Sequence, residues 1–303
     1  MSTSQTILLE LPYLRKLITN FKIKLVEYCR DNLPLPYVRL DKFMTEEIQK
    51  IGEYYFPNLI SEGSCASHYT PLLNETRVIT GKNNVTLDFG LIYKKNIPVD
   101  TAITIVFAKT KAESALISVL CNVQRSIQTH LSPSWKIKQI SKHIRNLIPA
   151  EYSISYELCG HSLSADTIHG NLQIPACQTP GHWGESDGMK SVIPVGSFFT
   201  IEPFVSQSIG GNPYFEVVEG TEDQTELFAE VTAEEYLKPQ SLRRALNKDI
   251  RFSPDVMDQL LLYPPCYNKQ GKDVFQFEDT YYMTETGPIL ITTDYDMLEK
   301  CLL

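Results

Sequence analysis

Five ionisable side chains, spread over most of the chain, interrupt short apolar segments of the kind that form buried strands. They are Asp88, Asp100, His161, Glu202 and Glu278. Two unit charges about 4 Å apart repel by about 4 kcal/mol at an effective dielectric of about 20, so carboxylates that are buried together need compensation. Divalent cations supply that compensation, and carboxylate and imidazole groups are among their preferred ligands. The pattern therefore predicts a two-metal site assembled from separate strands.

The composition narrows the class of protein. With 303 residues and 43% apolar content, the chain can bury one large core. Its net charge of −8 argues against a nucleic-acid-binding surface, which needs a concentrated basic face. The 7 cysteines are odd in number and include no Cys-x-x-Cys pair, which indicates reduced thiols rather than disulfides or a zinc finger. No signal peptide and no apolar run of membrane-spanning length is recognised. We expect a cytoplasmic monomer that binds neither nucleic acid nor membranes.

The hydrophobic pattern predicts two successive blocks of helices and strands. Apolar residues recur at helical spacing in 11–31, 41–55, 112–127, 135–147 and 223–262. Strand-like patterns occupy 76–107, 152–174, 195–205, 214–218, 273–283 and 288–293. A polar turn at 94–96 divides the first of these, which puts Asp88 and Asp100 on neighbouring antiparallel strands where they can face one another.

Several short motifs accompany the five residues in a fixed order. They are Phe56-Pro57, Ser67-His68-Tyr69-Thr70-Pro71, Asp88-Phe89-Gly90, Gly160-His161-Ser162, Ile168-His169, Tyr263-Pro264-Pro265 and Gln276-Phe277-Glu278. Together they resemble the pita-bread metallopeptidases, and most closely the type 2 methionine aminopeptidases. The resemblance covers roughly residues 10 to 300, and an ordered set of this many motifs is far more specific than any one of them.

The resemblance implies an α+β chain with the pita-bread (creatinase/aminopeptidase) fold. In that fold, two pseudo-symmetric αβ halves surround a curved antiparallel sheet. We expect a single catalytic domain over residues 1–303, with a helical insertion at 206–270. The long separation between Glu202 and Glu278, which that insertion fills, favours the type 2 enzymes over type 1.

The resemblance also gives each of the five residues a role. It implies that Asp88 chelates one cation, while Asp100 and Glu278 bridge the two. His161 and Glu202 complete the second site, and Glu202 is also the general base that takes a proton from the bridging water. The cofactors are then two divalent ions of cobalt, manganese, iron or zinc. Taken alone, each residue could belong to an ordinary ion pair. The presence of all five residues in the order found in the family favours the metal site.

Two further histidines have roles in the resemblance other than metal binding. It assigns His68 to the scissile amide and the leaving amine, and His169 to the substrate carbonyl and the oxyanion. Either could instead be a hydrogen-bonded core histidine. The pocket for the methionine side chain would contain Phe56, Ile168, Phe204 and Tyr263, although such residues are more often core. Cys65 and Cys159 could be read as thiolate ligands, but we favour buried thiols because carboxylate-rich sites suit harder metals.

The chain departs from the family pattern at a few positions. Asp88 and Asp100 are separated by one residue more than usual, and we expect the extra residue to lie in the turn at 94–96. Gly63 and Cys159 each stand where asparagine is common, and residues 170–172 also differ. These departures bear on specificity and rate more than on metal binding.

The expected activity is removal of the initiator methionine from nascent polypeptides whose second residue is small, carried out by a metal-bridging hydroxide. The partners would be the N-termini of nascent chains. Two alternatives remain open: a catalytically inactive pita-bread protein that works as a binding module, and an X-Pro dipeptidase-like enzyme on the same fold.

Overall fold

The computed structural model describes residues 3–71, 75–179, 187–220, 226–228 and 261–303. Its helices are α1 (Thr3–Asp31), α2 (Tyr37–Ile51), α3 (Lys111–His130), α4 (Ile137–Leu147) and α5 (Tyr295–Leu302), with a 3-10 helix at Asp187–Lys190. Its strands are β1 (Leu35–Pro36), β2 (Glu53–Glu62), β3 (Cys65–Ser67), β4 (Val78–Ile79), β5 (Val85–Tyr93), β6 (Ile97–Ile105), β7 (Tyr152–Ser155), β8 (Cys159–Leu163), β9 (Gln173–Pro175), β10 (Phe198–Ile201), β11 (Phe204–Gln207), β12 (Tyr214–Phe215), β13 (Val217–Glu219), β14 (Glu226–Phe228), β15 (Leu261–Tyr263), β16 (Cys266–Asn268), β17 (Val274–Gln276), β18 (Asp279–Thr284) and β19 (Gly287–Leu290).

The first half of the chain builds an antiparallel sheet in the order β2-β5-β6. Every residue of β5 and β6 is buried, which explains why these strands read as nearly continuous apolar runs. Helices α1 and α2 pack against this sheet through apolar faces. On α1 that face includes Leu14, Ile18 and Leu25, which recur at the three- and four-residue spacing of one helical side.

The second half repeats the combination of helices and strands. One sheet has the order β19-β18-β10-β8-β9 and another the order β12-β7-β11-β17, while α3 and α4 pack against these strands. The halves meet at a β-bridge between Ala102 on β6 and Glu278, where two backbone hydrogen bonds of 3.1 Å run in opposite directions. The strands that carry the five ionisable residues are therefore brought to the centre of the molecule from both halves.

The structure corrects the predicted boundaries in three regions. The helix expected at 11–31 begins earlier, at Thr3. The helix expected at 41–55 spans Tyr37–Ile51, and residues 53–55 belong to β2, because aromatic side chains there join the strand that pairs with β5. The predicted helical segment 223–262 is extended at its two ends, where β14 and β15 pair with one another. The rest of that segment lies outside the described residues, so the helical insertion at 206–270 stays a prediction.

None of the helices in the described ranges is both long enough and apolar enough to cross a bilayer.

Candidate metal centre

The two aspartates lie on adjacent strands of the first sheet. In the β5–β6 ladder, Asp88 pairs with Ala102, and Gly90 pairs with Asp100. Because side chains alternate between faces along a strand, this two-residue offset puts both carboxylates on the same face of the sheet. Both side chains are buried. Asp88 and Asp100 therefore face one another on the same side of the sheet, as the sequence predicted.

The other three residues come from the second half. His161 lies in β8, Glu202 follows the last residue of β10, and Glu278 immediately precedes β18. A threonine connects two of them, since the His161 backbone N–H donates to Thr200 Oγ1 at 3.1 Å and that hydroxyl lies 3.5 Å from Glu202 Oε1. Strand pairing and one buried hydroxyl thus fix the positions of His161 and Glu202.

The five side chains converge on one point. His161 Nε2 lies 3.4 Å from Asp100 Oδ2 and 3.6 Å from Glu202 Oε1. Asp100, His161 and Glu278 each offer a ligand atom, and these three atoms lie within 4.8 Å of one another. The Gln276 side-chain amide donates to Glu202 Oε2 and to Glu278 Oε2, at 3.3 Å in each case. Residues as far apart in the sequence as Asp100 and Glu278, which are 178 positions apart, therefore share one small polar cluster.

Burial opposes the charged form of the carboxylates. It raises the pKa of Asp88 to about 7. Burial, followed by repulsion from neighbouring carboxylates, raises the pKa of Glu202 and the pKa of Glu278 well above the ordinary glutamate range. Several anions held together in a protein interior require a cationic partner to remain ionised at neutral pH.

Two oxygen atoms of the cluster test whether a cation fits. Asp88 Oδ1 and Glu278 Oε1 are buried and accept no hydrogen bond from any group in the described part of the chain. Buried carboxylate oxygens without a donor are costly, so each such atom calls for an explanation. Divalent cations supply one, and a set of carboxylates with one imidazole is a donor set that suits cobalt, manganese, iron or zinc. The residues present therefore fit the predicted cofactor.

The imidazole of His161 within the cluster and those of His68 and His169 beside it are neutral. Burial lowers the pKa of His161 to about 4 and that of His68 to about 4, while burial and the two neighbouring imidazoles lower the pKa of His169 to about 2. The His161 and His169 rings stand edge to face at 4.6 Å, and the Tyr263 ring lies 5.4 Å from both His68 and His169. His68 has a φ of 67°, a left-handed backbone conformation that non-glycine residues adopt rarely and often at functional sites.

A cavity of about 210 Å³ opens over the cluster. All eleven residues that the sequence analysis singled out line it: Phe56, His68, Asp88, Asp100, His161, Ile168, His169, Glu202, Phe204, Tyr263 and Glu278. The Phe56 ring packs directly on Gly90, where a Cβ would lie only 2.1 Å from the ring. The glycine of the Asp88-Phe89-Gly90 motif is thus needed for this wall of the cavity.

Cys159 lines the cavity, and Cys65 lies on β3, three residues before His68. Burial, followed by the negative charge of Glu202, raises the pKa of Cys159 to about 12, so its thiol stays protonated at neutral pH. Cys65 is buried, and its Sγ lies 3.7 Å from the Ser67 carbonyl oxygen. Cys65 is therefore a buried thiol, as predicted, whereas Cys159 is only partly buried.

One comparison decides the family. Residues 38–285 match the sequence model of metallopeptidase family M24. The chain belongs to metallopeptidase family M24. It has the pita-bread fold of this family, as predicted. Family M24 enzymes use divalent metals, in keeping with the cluster described above.

This M24 chain is similar to several known proteins, at low sequence identity. The methionine aminopeptidase of Methanocaldococcus jannaschii is 27% identical over 273 residues, which are 83% of this chain and 87% of that protein. The methionine aminopeptidase 2 of Encephalitozoon hellem is 25% identical over 289 residues, 80% of this chain and 73% of that protein. A solved structure of a thermophilic Arx1 superposes with a TM-score of 0.66 at 15% identity and covers 94% of this chain and 92% of that one.

Sequence reasoning about this M24 protein missed the groups that hold the cluster in place. Gln276 stands inside a recognised motif but received no role. Gln124 on α3 was not noticed, although its buried side-chain amide donates at 2.8 Å to the carbonyl oxygens of Ile201 and Phe277. Those carbonyls immediately precede Glu202 and Glu278. A glutamine on the apolar face of an amphipathic helix is the signal that could have identified it.

One departure from the family pattern has a local physical reason. At Gly170, a Cβ would lie 2.3 Å from Ser162 Oγ and 2.7 Å from the Ser162 carbonyl oxygen. The Gly170 backbone N–H donates to that same carbonyl at 2.7 Å. Glycine is therefore required where the loop after Ile168-His169 returns to the motif that contains His161.

The extra residue between Asp88 and Asp100 leads to a prediction. The ladder runs without a register shift from Val85 to Tyr93, so the insertion lies in the turn, where Lys94 and Lys95 have φ of 48° and 70°. Deleting Lys95 should leave a two-residue turn, for which positive φ is favourable. We expect Co²⁺ binding to be retained and stability to change by less than about 1 kcal/mol. Loss of Co²⁺ binding by a folded deletion variant would contradict this account, since only a changed register would turn Asp100 away.

Proposed function

We propose that the protein is a type 2 methionine aminopeptidase, which removes the N-terminal methionine from peptides whose second residue is small. The observation that carries this proposal is the cluster of five ionisable side chains at the base of a cavity that the neutral imidazoles of His68 and His169 also line. Four of the five are buried, and two of these have an oxygen that accepts no hydrogen bond from the described residues. We further propose that it acts in the cytoplasm, as a monomer, on the N-termini of nascent polypeptides.

In this proposal, Asp88, Asp100, His161, Glu202 and Glu278 hold two divalent cations. Such ions, when bound, polarise a carbonyl group and bring the pKa of a water molecule close to neutrality. Cobalt, manganese, iron and zinc all suit the donor set.

Glu202 is the proposed general base. Its carboxylate is oriented by the Gln276 amide at 3.3 Å and by Thr200 at 3.5 Å. A carboxylate held in this way can take a proton from an attacking water molecule and later deliver it to the leaving amine.

His68 and His169 are proposed to act on the peptide through neutral imidazoles. Each ring can donate one N–H while carrying no charge, since burial lowers the pKa of both far below neutrality. His169 would donate to the substrate carbonyl oxygen and to the oxyanion that develops from it, and His68 would contact the scissile amide. A fixed donor that needs no reorganisation favours the transition state over the bound peptide.

The proposed methionine pocket consists of Phe56, Ile168, Phe204 and Tyr263. Phe56, Ile168 and Phe204 are buried. Apolar walls of this kind favour an unbranched, polarisable side chain such as methionine. Support for type 2 comes from the sequence interval between Glu202 and Glu278 and from the Encephalitozoon relative that carries the name methionine aminopeptidase 2.

The two alternatives differ from the proposal in measurable ways. An inactive binding module would have no need for five intact ionisable side chains and two cavity imidazoles, but the likeness to a protein named Arx1 leaves the fold compatible with it. An X-Pro dipeptidase would prefer proline at the second position. We therefore expect substrate preference to separate all three.

The test is hydrolysis of a matched set of peptides by the Co²⁺-loaded protein. We expect Met-Ala-Ser to be cleaved with a kcat/KM roughly 10- to 200-fold higher than that of Leu-Ala-Ser, the range that a small difference in an apolar pocket provides. Met-Leu-Ser should be cleaved poorly. Turnover of Ala-Pro without turnover of Met-Ala-Ser would favour the dipeptidase, and no turnover of any peptide by a metal-loaded sample would favour the binding module.

A further inference from the structure

A lysine–aspartate ion pair lies behind the metal centre, on the side away from the cavity. Lys22 on α1 and Asp279 at the start of β18 have side chains that are 1% and 0% exposed, and Lys22 Nζ lies 3.1 Å from Asp279 Oδ1. Burying both members of an ion pair removes two charges from water, and an apolar pair of similar size is often at least as stable. The pair therefore calls for a reason other than stability, and neither member takes part in the proposed chemistry.

The ammonium group also contacts the backbone that joins the two halves. Besides Asp279 and Thr293 Oγ1, at 2.8 Å, Lys22 Nζ lies 3.4 Å from the carbonyl oxygen of Glu278 and 3.5 Å from that of Ala102. These two carbonyls form the β-bridge between Glu278 and β6. One charged group thus touches both sides of this bridge, where the Thr101 hydroxyl of β6 also donates to the Glu278 carbonyl oxygen at 2.7 Å.

Asp279 is held from several directions at once. It accepts hydrogen bonds from Lys22 Nζ, from the hydroxyls of Thr292 (2.6 Å) and Thr293, and from the phenol of Tyr295. This carboxylate is therefore fixed on the side of the sheet that faces α1 and α5, away from the cavity.

The facing of Asp279 determines the facing of its neighbour. Glu278 and Asp279 are consecutive extended residues, so their side chains point to opposite faces of the strand. A shift by one residue would exchange them, turning Glu278 away from the cluster and Asp279 toward it. An aspartate that can reach its partners only on the far side prevents that exchange.

The same β-bridge also affects the positions of Asp88 and Asp100, the metal-binding residues in the first half of the chain. Ala102 pairs with Asp88 across the β5–β6 ladder and lies two residues after Asp100 on β6. A contact that fixes Ala102 against Glu278 therefore sets the distance between the two aspartates and the glutamate. We infer that Lys22, with Asp279, is a positioning residue that locks the register and spacing of the metal-binding carboxylates; this inference rests on the proposed metal-dependent function.

The test is Co²⁺ binding by a Lys22→Met variant, followed by titration calorimetry and by the visible absorption of the bound ion. Methionine keeps the length and flexibility of the side chain but removes the ammonium group. We expect the variant to fold and to bind Co²⁺ roughly 10- to 100-fold more weakly, the usual loss when a group that orients metal ligands is removed. The absorption bands should also shift, because the ligand geometry changes.

Two further variants separate positioning from other effects. Leu14→Ala lies two helical turns earlier on the buried face of α1 and removes only apolar packing; it should lower the melting temperature yet leave Co²⁺ affinity within about threefold of wild type. The double variant Lys22→Met/Asp279→Asn leaves no unpaired charge. It should still bind weakly, whereas recovery of wild-type affinity would mean that an uncompensated charge, rather than lost positioning, caused the defect, and would overturn the inference.

Wild-type affinity and absorption in Lys22→Met would overturn the inference directly. If that variant does not fold, Co²⁺ affinity is measured instead on Asp279→Asn, in which the side chain keeps its size. The same loss of affinity is expected. The proposed activity can fail separately: wild-type protein that binds Co²⁺ but cleaves no methionyl peptide would remove the peptidase function while the comparison of Co²⁺ affinities still decides the role of Lys22. Wild-type protein that binds no Co²⁺ would overturn the inference as well.

Discussion

Replacing Glu202 with glutamine is expected to lower kcat for methionyl peptides by about 10²- to 10⁴-fold, the contribution typical of a general acid-base group. Glutamine keeps the size of the side chain but cannot accept the proton. It also removes one negative charge from a point 3.6 Å from His161 Nε2. The effect should appear in kcat more than in KM, because the group acts in the transition state.

The matched control is Glu62→Gln, the same chemical change at a half-buried position on β2 that is absent from the cavity lining. Its kinetic constants should equal those of the wild type within about twofold, as for most substitutions away from a site. A Glu202→Gln variant that remains as active as wild type while metal-loaded would remove the general-base assignment.

Removing the metal is expected to have the second large effect. A cation that binds only the folded chain stabilises it by about 2.7 kcal/mol when its free concentration is about 100 times Kd. The metal-free protein should therefore melt several degrees lower, since about 1 kcal/mol corresponds to roughly 2–4 °C in a protein of this size class. Thermal melts with Co²⁺ and with chelator provide the measurement. Identical melting curves in the two conditions would contradict the presence of a metal site.

The pH dependence of the metal-free protein follows from the shifted pKa values. Folding raises the pKa of Asp88 from about 3.9 to about 7, so between these values the folded chain holds a proton that the unfolded chain has lost, and stability falls as the pH rises. The raised pKa values of Glu202 and Glu278 act in the same direction.

The histidines act in the opposite direction, but only in acid. The lowered pKa values of His68, His161 and His169 add stability as the pH rises toward about 6.5, the unfolded value, and nothing above it. Above about pH 6.5 only the effect of the carboxylates remains, so the melting temperature of the metal-free protein should decline until the pH has passed about 7, the pKa of Asp88 in the folded chain. Bound cations favour the deprotonated carboxylates, and the metal-loaded protein should not show this decline. A metal-free melting temperature that rises over this range would be the contrary result.

Much of the centre could be predicted because its signal is local. An ionisable residue inside a short apolar segment, such as Asp88 between Leu87 and Phe89, indicates a buried strand wherever it lies in the chain. The order of such residues carried the resemblance. The strands of the β5–β6 hairpin were predicted for the same reason, since the polar turn at 94–96 separates two apolar runs. Alternation along each strand then gave the common facing of the two aspartates.

What could not be predicted depends on contacts between distant segments. Gln124 binds backbone carbonyls, which every residue has, so nothing in the sequence identifies its partners. Lys22 lies on the apolar face of α1 with Ile18 and Leu25, a visible exception in the pattern, but its aspartate partner is 257 residues away. The pairing of β14 with β15 was likewise missed, because segments of three residues are too short for a periodic pattern to distinguish strand from helix.

The most direct test of the central claim is a titration of metal-free protein with Co²⁺ in which bound metal and hydrolysis of Met-Ala-Ser are recorded together. We expect binding to saturate at two ions per chain and hydrolysis to rise with metal occupancy from a negligible starting rate. An excess of chelator should return the hydrolysis rate to its starting value. Full hydrolysis of the peptide by the chelated protein, or the absence of any bound Co²⁺, would contradict it.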